Sequence, residues 1–165
     1  MNLYAFELGR KKELCFTELL SLLGEKNLHD ANLDTAIFKL ENPNIQNLQN
    51  DLGGTIKIME IFTEIPHSEK NLTEAIEKAL ETELNLTFKD HSGKTPFAIN
   101  VLSYKNPRSI NIKQLLNFSK IIFKSLGLNS RFLNKDFHSN PKPSMIYKAK
   151  AVEKGIDINI INGEK

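Results

Sequence analysis

The order of apolar segments in the first 62 residues narrows the fold of this chain more than any other feature. Residues 3–8 are apolar and aromatic, as a strand requires, and after a polar turn residues 12–23 carry apolar side chains at helical spacing up to Gly24. Residues 35–40 and 55–62 read as two further strands. Between them Asn42, as N-cap, and Pro43, at the first helical position, open a short helix that Gly53-Gly54 ends. With residues 27–33 as a weak edge strand, the order is β-α-β-β-α-β.

That order predicts a ferredoxin-like domain over residues 1–65, with Pro66-His67-Ser68-Glu69-Lys70 as the joint to a second domain over 66–165. In the second domain Asn71, with Glu74 three residues on, caps an amphipathic helix marked by Leu72, Ile76, Ala79, Leu80 and Leu84. A strand over 97–102, a helix over 112–126 and a short strand over 131–133 follow. Ser144 is expected to cap a helix that runs to Lys154 and stops at Gly155. Residues 156–161 alternate Ile with Asp and Asn, the period of a half-buried strand. They lead into Asn162-Gly163, a hairpin-turn signal. The expectation is that the sequence stops inside a longer protein or that another chain completes the sheet, with a frayed tail as the alternative. The fold class is α+β, the second part being α/β.

Several function classes are excluded early. No apolar run approaches the ~20 residues of a membrane span, and the N-terminus meets Glu7 without a basic leader, so neither a membrane segment nor a signal peptide is expected. A single cysteine allows no internal disulfide, which fits a reducing cytoplasm. Cys15, among Leu14, Phe16, Leu19 and Leu20, reads as a buried inert thiol.

Charge is divided along the chain. Residues 1–90 hold 16 Asp/Glu against 9 Lys/Arg, a net −7, while residues 91–165 hold 13 Lys/Arg against 4 Asp/Glu, a net +9. Between Lys94 and Lys150, eleven of twelve charged side chains are basic and Asp136 is the one acid. Many cations on one body release counterions from a phosphate backbone together, so this distribution points to a polyanion. A solvated basic face without a partner is the bland alternative.

On the 112–126 helix, Lys113, Lys120 and Lys124 fall at i, i+7 and i+11, within about 40° of one line at 100° per residue. Lys105, Arg108, Arg131, Lys135, Lys142, Lys148 and Lys150 complete the candidate RNA-binding set. Tyr104, Phe137 and Tyr147 are candidates to stack on unpaired bases, with core packing as the alternative for each. Catalytic signatures are mostly absent from the sequence, and no zinc site is expected. His29, His67, His91 and His138 lack partners at metal-ligand spacing, and no nucleotide-binding glycine loop occurs. Gly53-Gly54 reads as a helix terminator, and Glu74, Glu77 and Glu81 as a solvated stripe.

The segments Tyr4-Ala5-Phe6-Glu7-Leu8-Gly9-Arg10 with Glu13-Leu14 and Glu18-Leu19-Leu20, Leu52-Gly53-Gly54-Thr55-Ile56-Lys57-Ile58, Phe97-Ala98-Ile99 and Ser130-Arg131-Phe132 together resemble the N-terminal part of THUMP-containing tRNA guanosine methyltransferases of the archaeal type. The resemblance implies a ferredoxin-like domain and a THUMP domain that grip tRNA, with a separate Rossmann-like domain binding S-adenosylmethionine. The family's catalytic tetrad, Asp or Asn followed by Pro-Pro and an aromatic, does not occur. Asn140-Pro141-Lys142-Pro143 departs from it at the second Pro and at the aromatic. The implied role is therefore the tRNA-binding part of such an enzyme, with no cofactor on this chain and a methyltransferase domain in cis or in trans. A protein–protein assembly module with oppositely charged halves and no RNA ligand is the alternative.

Overall fold

The computed structural model describes residues 1–66, 68–102, 110–135 and 140–162. The chain divides into two compact units, Met1–Glu64 joined by Ile161 and Asn162, and Ile65–Ile160.

In the first unit β1 (Asn2–Leu8), β2 (Leu28–Ala31), β3 (Thr35–Leu40) and β4 (Thr55–Ile61) form an antiparallel sheet in the order β2-β3-β1-β4. Helices α1 (Lys12–Leu23) and α2 (Ile45–Asp51) follow β1 and β3. Strand alternation puts Tyr4, Phe6 and Leu8 on one face with Ala36, Phe38 and Leu40, and this face packs with Cys15 and Leu19 of α1. Phe6 and Phe38 meet edge to face, ring centroids 5.7 Å apart, diagonally across the β1–β3 pair. Cys15 is buried in that layer, and the bare backbone of Gly54 makes room for it: a Cβ there would lie 2.6 Å from the sulfur. The Gly53 and Gly54 amides both donate to the Glu18 carboxylate at 3.0 Å, so an internal acid already occupies them.

α2 begins two residues later than its sequence signal. Asn42 has φ 45°, a left-handed backbone that cannot serve as an extended N-cap. Asn44 caps instead, its side chain accepting from the Asn47 amide at 3.0 Å. α1 stops where the spacing predicts, with Gly24 at φ 82°.

The second unit runs α3 (Leu72–Thr87), β5 (Lys94–Leu102), α4 (Ile112–Ser125), β6 (Asn129–Phe132), α5 (Pro143–Lys148), α6 (Ala151–Lys154) and β7 (Ile156–Ile161). The sheet order is β6-β5-β7, and β6 is parallel to β5. Asn71 and Asn111 cap α3 and α4 by accepting from the Glu74 and Gln114 amides. β5 starts at Lys94 and β6 at Asn129, both earlier than expected. The β5–β6 pairing, from Lys94↔Asn129 to Phe97↔Phe132, overrides the poor strand propensity of Lys94 and Pro96.

β5 is covered on both faces, as central strands of parallel sheets are. Phe97 and Ile99 pack with Leu80 and Leu84 of α3, Leu115 and Phe123 of α4, and Ile158 of β7. On the other face Ala98 packs with Leu133, Ile146 of α5 and Ala151 of α6. Asn100 is 2% exposed on that second face. Its Nδ2 donates to Asp157 Oδ1 at 2.6 Å and Asn159 Oδ1 at 3.2 Å, tying β5 to β7.

The single helix expected from Ser144 to Lys154 is two. Pro143 occupies the first turn of α5 and Lys142 its N-cap position, so Ser144 does not cap. Lys150, at φ 54°, separates α5 from α6. Ile146 and Ala151 are five residues apart, which one continuous helix would place about 140° apart around its axis. The break at Lys150 lets both face Ala98. Gly155 ends α6 against β5, where any Cβ would collide with the Pro96 carbonyl oxygen.

Candidate nucleic-acid interface

Lys113, Lys120 and Lys124 are exposed on α4. Its buried positions Leu115, Leu116, Ser119, Ile122 and Phe123 define the face toward the sheet, and the lysine line lies about 120° round from it. The neighbours of α4 say which way that line points. On one flank Gln114 Nε2 donates to Glu77 Oε1 of α3 at 2.8 Å. On the other, Lys120 Nζ sits 5.7 Å from the ring centroid of Phe132 on β6. The stripe therefore runs along the margin of the unit formed by the edge strand β6.

Lys142, Lys148 and Lys150 belong to the α5–α6 layer, on the opposite face of the sheet, and all three are exposed. The nominated cations thus form two groups on opposite faces, and β6 lies between them. Successive β6 residues serve the two sides: Phe132 packs on the α3–α4 face and carries Lys120, while exposed Arg131 alternates to the α5–α6 face. Lys135 follows shortly after β6 and is exposed. Lys105 and Arg108 lie outside the described residues, as do Tyr104 and Phe137. Tyr147 is 82% exposed on α5, so its ring is not core.

Local electrostatics leave most of this set open to an external anion. Lys150 Nζ reaches Glu153 Oε2 at 3.8 Å, a weak exposed pair. Among the described residues no acid forms an ion pair with Lys120, Lys124, Arg131, Lys135, Lys142 or Lys148. Lys124 and Lys148 occupy the last turns of α4 and α5, where the helix dipole favours a cation. The acidic stretch, by contrast, reaches into this unit: α3 carries Glu74, Glu77, Glu81 and Glu83 against Lys78. The seam between charges runs between α3 and α4, so the α3 side disfavours a polyanion and the β6 side favours one.

The tetrad look-alike has another task. Both polar atoms of the Asn140 side chain are engaged by the backbone of Val101, at 2.9 Å each. Asn134 grips Ile99 in the same way. Neither role was legible in the sequence, because the partners lie 35 and 39 residues away. The described residues contain no group of three or more His, Cys, Asp or Glu placed to hold a metal ion. No helix among them is long and apolar enough to cross a membrane. No family model, curated protein or solved structure matches the chain.

Proposed function

We propose that the chain binds structured RNA along the β6 margin of its second unit, with tRNA as the ligand that the resemblance implies. The observation that carries this reading is the meeting of two cationic groups at one edge strand, Lys120 from the α4 side and Arg131 from the α5 side, with four acids gathered on α3 away from that strand. A folded RNA offers phosphates on both sides of a groove, and lysines spread over two faces of a margin match that better than a flat patch would. Lysine-rich contact reads phosphate position and A-form shape more than base identity. Tyr147 adds an exposed ring beside Lys148 for stacking on an unpaired base.

In this reading the first unit is ferredoxin-like, supported by its β-α-β-β-α-β order and β2-β3-β1-β4 sheet, and the second is THUMP-like. The pair holds tRNA in the cytoplasm for a Rossmann-like, S-adenosylmethionine-dependent domain in cis or in trans that methylates a guanosine amine. The chain alone transfers no methyl group. Binding of tRNA over a salt series tests the reading. Log K should fall against log[salt] by several units, at ~0.7–0.9 per phosphate contact. A flat response, or no retention at low salt, overturns it. Retention on an acidic protein but not on tRNA would instead support the assembly module.

A further inference from the structure

β6 ends at Phe132, yet its edge of β5 continues to be hydrogen-bonded. The Leu133 amide donates to the Phe97 carbonyl at 2.8 Å. Two residues along β5, Asn134 Oδ1 accepts from the Ile99 amide at 3.1 Å and its Nδ2 donates to the Ile99 carbonyl at 2.8 Å. Two residues further, Asn140 repeats the exchange with Val101 at 2.9 Å and 2.9 Å. Residues 97, 99 and 101 of a strand turn their backbone groups to the same neighbour. Two side-chain amides therefore stand in for the next two residues of a strand.

A longer β6 would satisfy the same backbone groups. What the amides add is a fixed place for the residues beside them. Lys135 directly follows Asn134. Lys142 is two residues after Asn140, between buried Pro141 and Pro143, the first residue of α5. Proline restricts its own φ and the residue before it, and Lys142 is extended at φ −64° and ψ 142°. The backbone from the Asn140 amide to the Lys142 side chain is consequently stiff.

We propose that Asn134 and Asn140 are positioning residues for the cations of the RNA margin, with Asn140 setting where Lys142 meets a phosphate. This rests on the RNA reading above and names how that site is held in register. Asn140 is the residue to test, because it is exposed and the Val101 it holds is only half-buried, whereas Asn134 and Ile99 are buried. The experiment measures tRNA affinity over a salt series for the parent, Asn140→Ala, Lys142→Ala and the double variant, with thermal melting of each.

Asn140→Ala changes no charge, yet the salt slope should shrink by about one phosphate contact, ~0.7–0.9, and affinity should fall several-fold at low salt. Lys142→Ala should give the same change, and the double variant no more than either. If Asn140→Ala folds and keeps the parent's slope and affinity while Lys142→Ala loses them, the positioning role is overturned and RNA binding stands. If the parent itself does not bind tRNA, both fall. Should the alanine variant fail to fold, Asn140→Ser carries the same comparison with one hydrogen-bonding atom retained.

Discussion

The two sheets differ in how their backbones and faces are covered, and the difference explains where charge can collect. In the first unit the antiparallel strands bring Tyr4, Phe6, Ala36 and Phe38 to one helix-covered face. Its awkward turn amides are met locally in space by Glu18 at Gly53-Gly54 and by Asn32, which accepts from the Asp34 and Thr35 amides at 2.9 Å. In the second unit β5 is buried on both sides, by α3–α4 and by α5–α6. Helices on both faces leave its margins as the place where two layers of exposed side chains approach each other. An edge strand as short as β6, with Arg131 and neighbouring lysines, is also a poor template for pairing with another sheet. The same cations that favour a polyanion thus protect the edge.

The largest effect should come from the core that makes the second sheet two-sided. Phe97→Ala removes a fully buried ring that meets Phe123 at 5.1 Å and should cost about 3–5 kcal/mol in denaturant melts. On the other face, Ala98→Leu should cost about 1–3 kcal/mol by overpacking α5 and α6. An Ala98→Leu variant that melts like the parent would mean that the α5–α6 layer does not press on β5, and the contrast between the sheets would collapse to strand direction.

Reversal of the α4 stripe contrasts the two units directly. Lys113, Lys120 and Lys124 changed together to Glu should abolish most tRNA affinity and reduce the salt slope by about 2–3. The same change at Lys11, Lys26 and Lys39, exposed on the first unit, should leave more than half the binding energy in place. Circular dichroism should show both variants folded, with stability effects of about 0.5 kcal/mol per exposed site. Equal losses from the two triples would show a response to net charge and not to a located margin.

The smallest effect concerns the break between α5 and α6. Lys150→Gly removes the strain of a left-handed lysine and should raise stability by roughly 0.5–1 kcal/mol, with a slight loss of tRNA affinity. A destabilised Lys150→Gly variant would assign the break to the side chain and its Glu153 pair, not to packing.

The sequence carried the elements whose determinants are local. α1, α3 and α4 were legible from helical spacing and from Gly24 and Asn71, and the lysine line on α4 follows from angles within one helix. Two asparagines, Asn42 and Asn44, compete to start α2, and only the backbone decides between them. The break at Lys150 had no signal, because lysine is not a residue that favours left-handed backbone, and the demand comes from Ile146 and Ala151 both facing Ala98. The distribution of the basic residues over two faces was hidden for a related reason. It depends on β7 pairing on the far side of β5, a fact about topology that no run of residues states.

Asn100 gives the second unit a check on register. Its buried amide finds Asp157 57 residues later and Asn159 59 residues later, both on β7. Without β7 the Asn100 amide would lack these partners, and burying it would be costly. A slip of β7 by one residue would turn Asp157 and Asn159 toward the isoleucine side and leave the amide without them. The asparagine thus ties satisfaction of the buried second face to the frame in which β7 pairs with β5.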